Sequence, residues 1–186
     1  NNNEILKIKK SFNKYYENFE QLDIGGRIIF PGLIDIHVHF RDPGQTIKED
    51  IASGANAAAK GGFTTVVMMP NTYPALDSVD TIGLVAEKIL KSKINIFLAP
   101  CLSLGREGKK LVDFESILKS YEDFIFGFSD DGDFLEDQIL IGKALNILDG
   151  NWPLMQHPEL LDNQTYNGAI NQGKLSEKYN LIGRPA

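Results

Sequence analysis

Pro31-Gly32-Leu33-Ile34-Asp35-Ile36-His37-Val38-His39-Phe40-Arg41-Asp42-Pro43-Gly44 reads as a strand running into a turn. Residues 33–40 are almost continuously apolar apart from Asp35 and the two histidines. That is the pattern of a strand covered on both faces. Side chains two apart on a strand share a side, so His37 and His39 should converge. They stand at the carboxyl end of the strand, with Arg41 beside them and the turn Asp42-Pro43-Gly44 next.

Similar apolar stretches recur at 63–69, 94–99, 124–128 and 154–157, rich in Val, Ile and Phe. Helix-like segments separate them. Thr46 and Glu49 have the spacing of a capping box, Ile47, Ile51, Ala55 and Ala58 follow at helical spacing, and Gly61-Gly62 ends the run. Further helices are expected over 78–91, 114–120, 139–148 and 175–179. Strand and helix alternating at near-regular spacing predict an α/β fold built from βα units with a parallel sheet. An open doubly wound sheet and a (β/α)8 TIM-type barrel both fit that rhythm. A full barrel takes about 250 residues, so five strands would be its N-terminal part. The expected organisation is residues 1–30 as part of a small flanking β domain and 31–186 as the first five βα units. On this reading either the chain continues past Ala186 or a partner covers the open side of the half-barrel, and because Asn1 is not a Met, sequence is expected upstream as well.

The 186 residues carry a net charge of -6, from 19 basic and 25 acidic side chains. Bulk charge of that sign argues against nucleic acid or an anionic membrane surface as partner. No apolar run is long enough to span a bilayer. The single cysteine, Cys101, excludes an internal disulfide and a Cys-rich zinc site, and points to the cytoplasm.

Chemistry concentrates at the strand ends. Two imidazoles on one side of a strand, at the face where parallel barrels place their catalytic groups, suit a metal ion, with Arg41 as an anion clamp. A bare His-x-His is more often structural, but these are two of only three histidines in the chain. Gly105-Arg106-Glu107-Gly108-Lys109-Lys110 lacks the spacing of a phosphate loop and reads as a solvated turn.

The stretch 31–44 resembles the signature of the amidohydrolase superfamily, and its Phe-Arg-Asp-Pro-Gly tail is similar to the dihydroorotase version. Residues 61–72, ending Met69-Pro70-Asn71-Thr72, look like the second strand and loop of that family. The resemblance implies that His39, Arg41 and Asn71 hold substrate and that His37, His39, Asp131 and His157 hold metal, one or two Zn2+ ions per subunit. Asp130 and Asp131 compete for one ligand role in Ser129-Asp130-Asp131-Gly132, and Asp131 is preferred. Hydantoinases and allantoinases carry a bridging lysine near this place, but no lysine lies between Glu122 and Asp137. The family continues its fifth-strand histidine as His-x-Glu-Asp; here it is His157-Pro158-Glu159-Leu160. The implied reaction is the reversible cyclisation of N-carbamoyl-L-aspartate to L-dihydroorotate, in pyrimidine synthesis, with the general-base aspartate expected beyond Ala186. Implied partners are a second copy, as a homodimer, and aspartate transcarbamoylase. The alternatives are a hydantoinase- or allantoinase-type enzyme, and an inactive relative serving as a partner subunit.

Overall fold

The structure, a computed structural model, describes residues 22–133, 135–157 and 170–183. The chain divides into two units, Asn1–Pro31 and Gly32–Ala186. In the first unit, the described residues form a turn closed by Arg27 N–H on Ile24 O (3.2 Å). Most of the β character expected over 4–30 falls outside the described residues.

The second unit is mixed α/β with parallel pairing throughout its sheets. Strands β1 (Leu33–Val38), β2 (Phe63–Met68) and β3 (Asn95–Leu98) form one sheet in that order, and β4 (Phe128–Ser129) pairs with β5 (Leu154–Met155). A parallel bridge between Leu98 and Ile125 and the bond from Ser129 N–H to Pro100 O (2.8 Å) join the two. Helices α1 (Ile51–Lys60), α2 (Val79–Leu90), α3 (Phe114–Tyr121), α4 (Gln138–Leu148) and α5 (Lys174–Lys178) complete it. Among the described residues, no helix is long and apolar enough to cross a membrane.

The alternation along β2 shows why its sequence is apolar throughout. Val66 and Met68 join the main core with Ile51, Ile82, Val85, Leu98, Ile117 and Phe128. Val67 and Met69 enter a second cluster with Ala99, on the opposite face. Burying each such side chain contributes about 1.5–3 kcal/mol. Val38 packs against the main core, so the alternation of β1 directs its neighbours His37 and His39 to the other face.

Helix α1 starts later than its sequence suggests. The capping box is Asp50 with Ser53, not Thr46 with Glu49: Asp50 Oδ1 accepts from Ser53 N–H (2.7 Å), and Ser53 Oγ accepts from Asp50 N–H (3.3 Å). Residues 46–48 form a turn, and Ile47 lies exposed in it. The exposed Asp50 carboxyl is held below its ordinary pKa, first by the Ser53 backbone N–H. Gly61 caps the helix as expected, followed by Gly62 at φ 86°. Ser78 caps α2 with Thr81, and Ile82, Val85 and Ile89 form its buried face. The fourth strand is shorter than the apolar stretch 124–128, because Glu122–Phe124 closes a 3-10 turn after α3.

Asp42 does more than make a turn. It is buried, and Lys88 Nζ of α2 lies 2.6 and 2.8 Å from its two carboxylate oxygens. This ties the loop after β1 to α2. Gly44 (φ 95°) lies so close to the next loop that a Cβ there would stand 2.0 Å from Tyr73 O. The loops after β1 and β2 are thus pressed together, and Arg41 and Asn71 ride on them.

Candidate metal centre

Three side chains meet at the carboxyl ends of β1 and β4. His37 Nε2 lies 3.2 Å from Asp131 Oδ1, and His39 Nε2 lies 3.7 Å from Asp131 Oδ2. The two rings sit edge to face, 5.0 Å between centroids. One ligating atom from each of His37, His39 and Asp131 falls within 4.8 Å of the others. Two ligands about 2.0–2.1 Å from a tetrahedral zinc stand about 3.4 Å apart; the two His–Asp distances bracket that spacing.

Asn71 completes the arrangement. Its Nδ2 donates to Asp131 Oδ2 (3.2 Å), and its Oδ1 faces His39 Nδ1 at 2.9 Å. The carboxylate can only accept, so the amide nitrogen must face Asp131 and the amide oxygen must face His39. In the neutral imidazole, His39 then carries its proton on Nδ1, and Nε2 presents a lone pair toward the carboxylate. A lone pair aimed at a carboxylate is a repulsive contact that a metal ion between them relieves, as does a proton on Nε2. Fixing a histidine through its second nitrogen is how metal ligands are oriented. The donor set, two nitrogens and a carboxylate oxygen, suits zinc.

The structure separates Asp130 from Asp131. Asp130 points away from the histidines into the loop after β3, where it accepts from Leu102 N–H (2.8 Å), Ser103 N–H (3.0 Å) and Ser103 Oγ. Burial pushes its carboxyl pKa up, against the lowering effect of these hydrogen bonds. Asp131, with its side chain 4% exposed, faces β1. Arg41 Nη1 makes a long contact with Asn71 O (3.4 Å), beside the trio. His157 follows β5 and is not one of the three residues whose ligand atoms converge. Cys101 is buried, which holds its thiol well above its ordinary pKa, so it is not a poised nucleophile.

Arg106 is the residue that the sequence conceals. It belongs to the Gly105–Lys110 loop read as a solvated turn, yet its Nη1 donates to Asp131 O (2.9 Å) and pairs with Asp133 Oδ2 (2.9 Å). The only local signal was its place in the loop after β3, with Gly105 before it and Gly108 two residues on.

Known proteins match this chain closely. The family model described as Dihydro-orotase-like matches residues 26–186. The dihydroorotase of Clostridioides difficile is 43% identical over 185 residues, which is 97% of this chain and 42% of that protein. That of Clostridium acetobutylicum is 41% identical over 171 residues, 90% of this chain and 39% of that protein. That of Aquifex aeolicus is 39% identical over 185 residues, 98% of this chain and 42% of that protein. The chain thus spans about two fifths of the length of these relatives. With the match covering the whole of its second unit, including both strand ends that carry the trio, the chain belongs to the dihydro-orotase-like family.

Proposed function

We propose that this chain supplies the metal-binding half of a dihydroorotase, which interconverts N-carbamoyl-L-aspartate and L-dihydroorotate. The observation that carries this reading is the convergence of His37, His39 and Asp131, with Asn71 fixing the His39 tautomer. Relatives that share the chain at about 40% identity are dihydroorotases. The parallel strands, following one another in chain order, are read as the first five βα units of a (β/α)8 barrel, with residues 1–30 in a flanking β domain.

His37 and His39 would hold zinc through nitrogen and Asp131 through oxygen, with His157 as a ligand to a second ion. Bound zinc supplies Lewis acidity that acidifies water and polarises an amide carbonyl. The protein's part is orientation. Arg41 would grip the substrate carboxylate in two-point fashion, and His39 and Asn71 would line the same subsite. Holding the carboxylate there sets the ring carbonyl over the trio, which lowers the entropic part of the barrier. No lysine lies between Glu122 and Asp137, and from that segment it is Asp131 that converges on the two histidines, which favours this reading over a hydantoinase. A single, buried cysteine fits a reducing, cytoplasmic setting. Homodimerisation and association with aspartate transcarbamoylase belong to the same reading.

The test is turnover by the full-length, zinc-loaded protein in both directions of the cyclisation. Dihydroorotate and carbamoyl-aspartate should be its best substrates. Faster turnover of hydantoin or allantoin overturns the assignment.

A further inference from the structure

The loops after β3 and β4 hold each other reciprocally. From the later loop, the Asp130 carboxylate accepts the backbone N–H groups of Leu102 and Ser103 (2.8 and 3.0 Å). From the earlier loop, Arg106 Nη1 donates to the carbonyl of Asp131, the next residue, at 2.9 Å. Each loop thus grips the other's backbone with a charged side chain, and charge-assisted bonds of this kind are about twice as strong as neutral ones.

Two left-handed backbone positions serve that grip. Arg106 adopts φ 61°, an uncommon conformation for a residue with a Cβ, following Gly105 at φ 60°. Asp77 holds this bend by accepting Gly105 N–H (2.8 Å). On the other side, Gly132 adopts φ 89°, and a Cβ there would lie 2.8 Å from Arg106 Nη1 and 3.0 Å from Asn71 Nδ2. The turn is closed by Asp133 N–H on Asp130 O (2.9 Å). The guanidinium therefore sits against the turn that aims Asp131. Asp133 Oδ2, 2.9 Å from the same nitrogen, offsets its charge. That matters because an unbalanced cation here would oppose a metal ion bound by the trio.

We infer that Arg106 is a positioning residue for Asp131: by holding the Asp131 carbonyl and folding the Asp131–Gly132–Asp133 turn around its guanidinium, it sets the direction in which the carboxylate faces His37 and His39. Arg106 bonds to the backbone carbonyl of Asp131 and to Asp133 Oδ2 rather than to a ligand atom of the trio, so its effect passes through Asp131. This inference rests on the zinc reading above.

The experiment compares the full-length protein with its Arg106→Met and Arg106→Lys variants. Zinc affinity is measured by competition with a chromogenic chelator, ligand geometry by the visible spectrum of the Co2+-loaded protein, and turn order by amide hydrogen exchange of peptides covering 129–133. Removing an outer-shell partner lowers metal affinity about 10–100-fold. Arg106→Met should show a loss of that size, an altered Co2+ spectrum and faster exchange in the turn. Arg106→Lys keeps the charge without the planar fork and should fall between. Zinc affinity within about twofold of the parent and an unchanged Co2+ spectrum in Arg106→Met overturn the inference. Should Arg106→Met fail to fold, Arg106→Lys is read by the same criterion. If the parent itself binds no zinc, the metal reading fails on its own, and the exchange data decide: unchanged protection of the turn in Arg106→Met overturns the positioning role.

Discussion

His39 Nδ1 and Asn71 Oδ1 stand 2.9 Å apart, and that one contact decides which nitrogen of His39 is free. The other end of the amide is committed to Asp131, so it cannot turn round without placing an oxygen against a carboxylate. Asn71→Ala removes both restraints. Zinc affinity should fall about 10–100-fold, the range for loss of an outer-shell partner. Isothermal titration on the full-length protein checks it. Asn71→Asp should be worse than alanine, since it adds a second carboxylate beside Asp131.

Adjacent aspartates should respond in opposite ways. Asp131→Asn should abolish tight zinc binding with little effect on the melting temperature. Asp130→Ala should leave Leu102 N–H, Ser103 N–H and Ser103 Oγ without their acceptor. Its cost should be about 2–3 kcal/mol of stability, measured by chemical denaturation. If Asp130→Ala loses zinc at full stability while Asp131→Asn retains it, the ligand assignment is reversed.

Arg41 belongs to substrate and not to metal in the proposed function. Its guanidinium reaches Asn71 O at 3.4 Å, and it is not among the three residues whose ligand atoms converge. Arg41→Ala should raise KM for dihydroorotate by at least about tenfold, the effect of losing roughly 1.4 kcal/mol of binding, while bound zinc stays at the parent's level. Zinc measured by atomic absorption, alongside the kinetics, separates the two effects. A variant that loses its metal contradicts the carboxylate-anchoring role.

Gly54 gives a prediction whose sign depends on tertiary packing. In an isolated helix, glycine to alanine stabilises by about 1 kcal/mol. In this fold a Cβ at Gly54 would stand 2.3 Å from Phe40 Cε1 and 2.5 Å from Cδ1. Gly54→Ala should therefore destabilise, by about 1–3 kcal/mol. A thermal melt reads the sign. Because Phe40 directly follows His39, zinc affinity should fall as well. A higher melting temperature would show that Phe40 moves aside freely.

Much of the architecture was legible because the signals are local. The apolar runs at 33–40, 63–69 and 154–157 became strands, and Ser78 and Gly61 delimited helices, because capping and side-chain periodicity act within a few residues. The start of α1 was misplaced because two local signals competed. Thr46 and Asp50 are both competent caps; the helix is capped by Asp50, and the loop before it is held through Asp42 by Lys88, 46 residues away.

The convergence of His37 and His39 was set by the sequence alone, since period-two alternation puts both on one side of any strand. Whether Asp130 or Asp131 would join them was not. Side chains of neighbouring residues diverge, and which one faces β1 depends on how β4 packs beside β3, through the Leu98–Ile125 bridge and the grip of Asp130 on Ser103. Arg106 was hidden for the same reason. Its partners Asp131 and Asp133 lie more than twenty residues away in sequence, and only the pairing of parallel strands brings the two loops together.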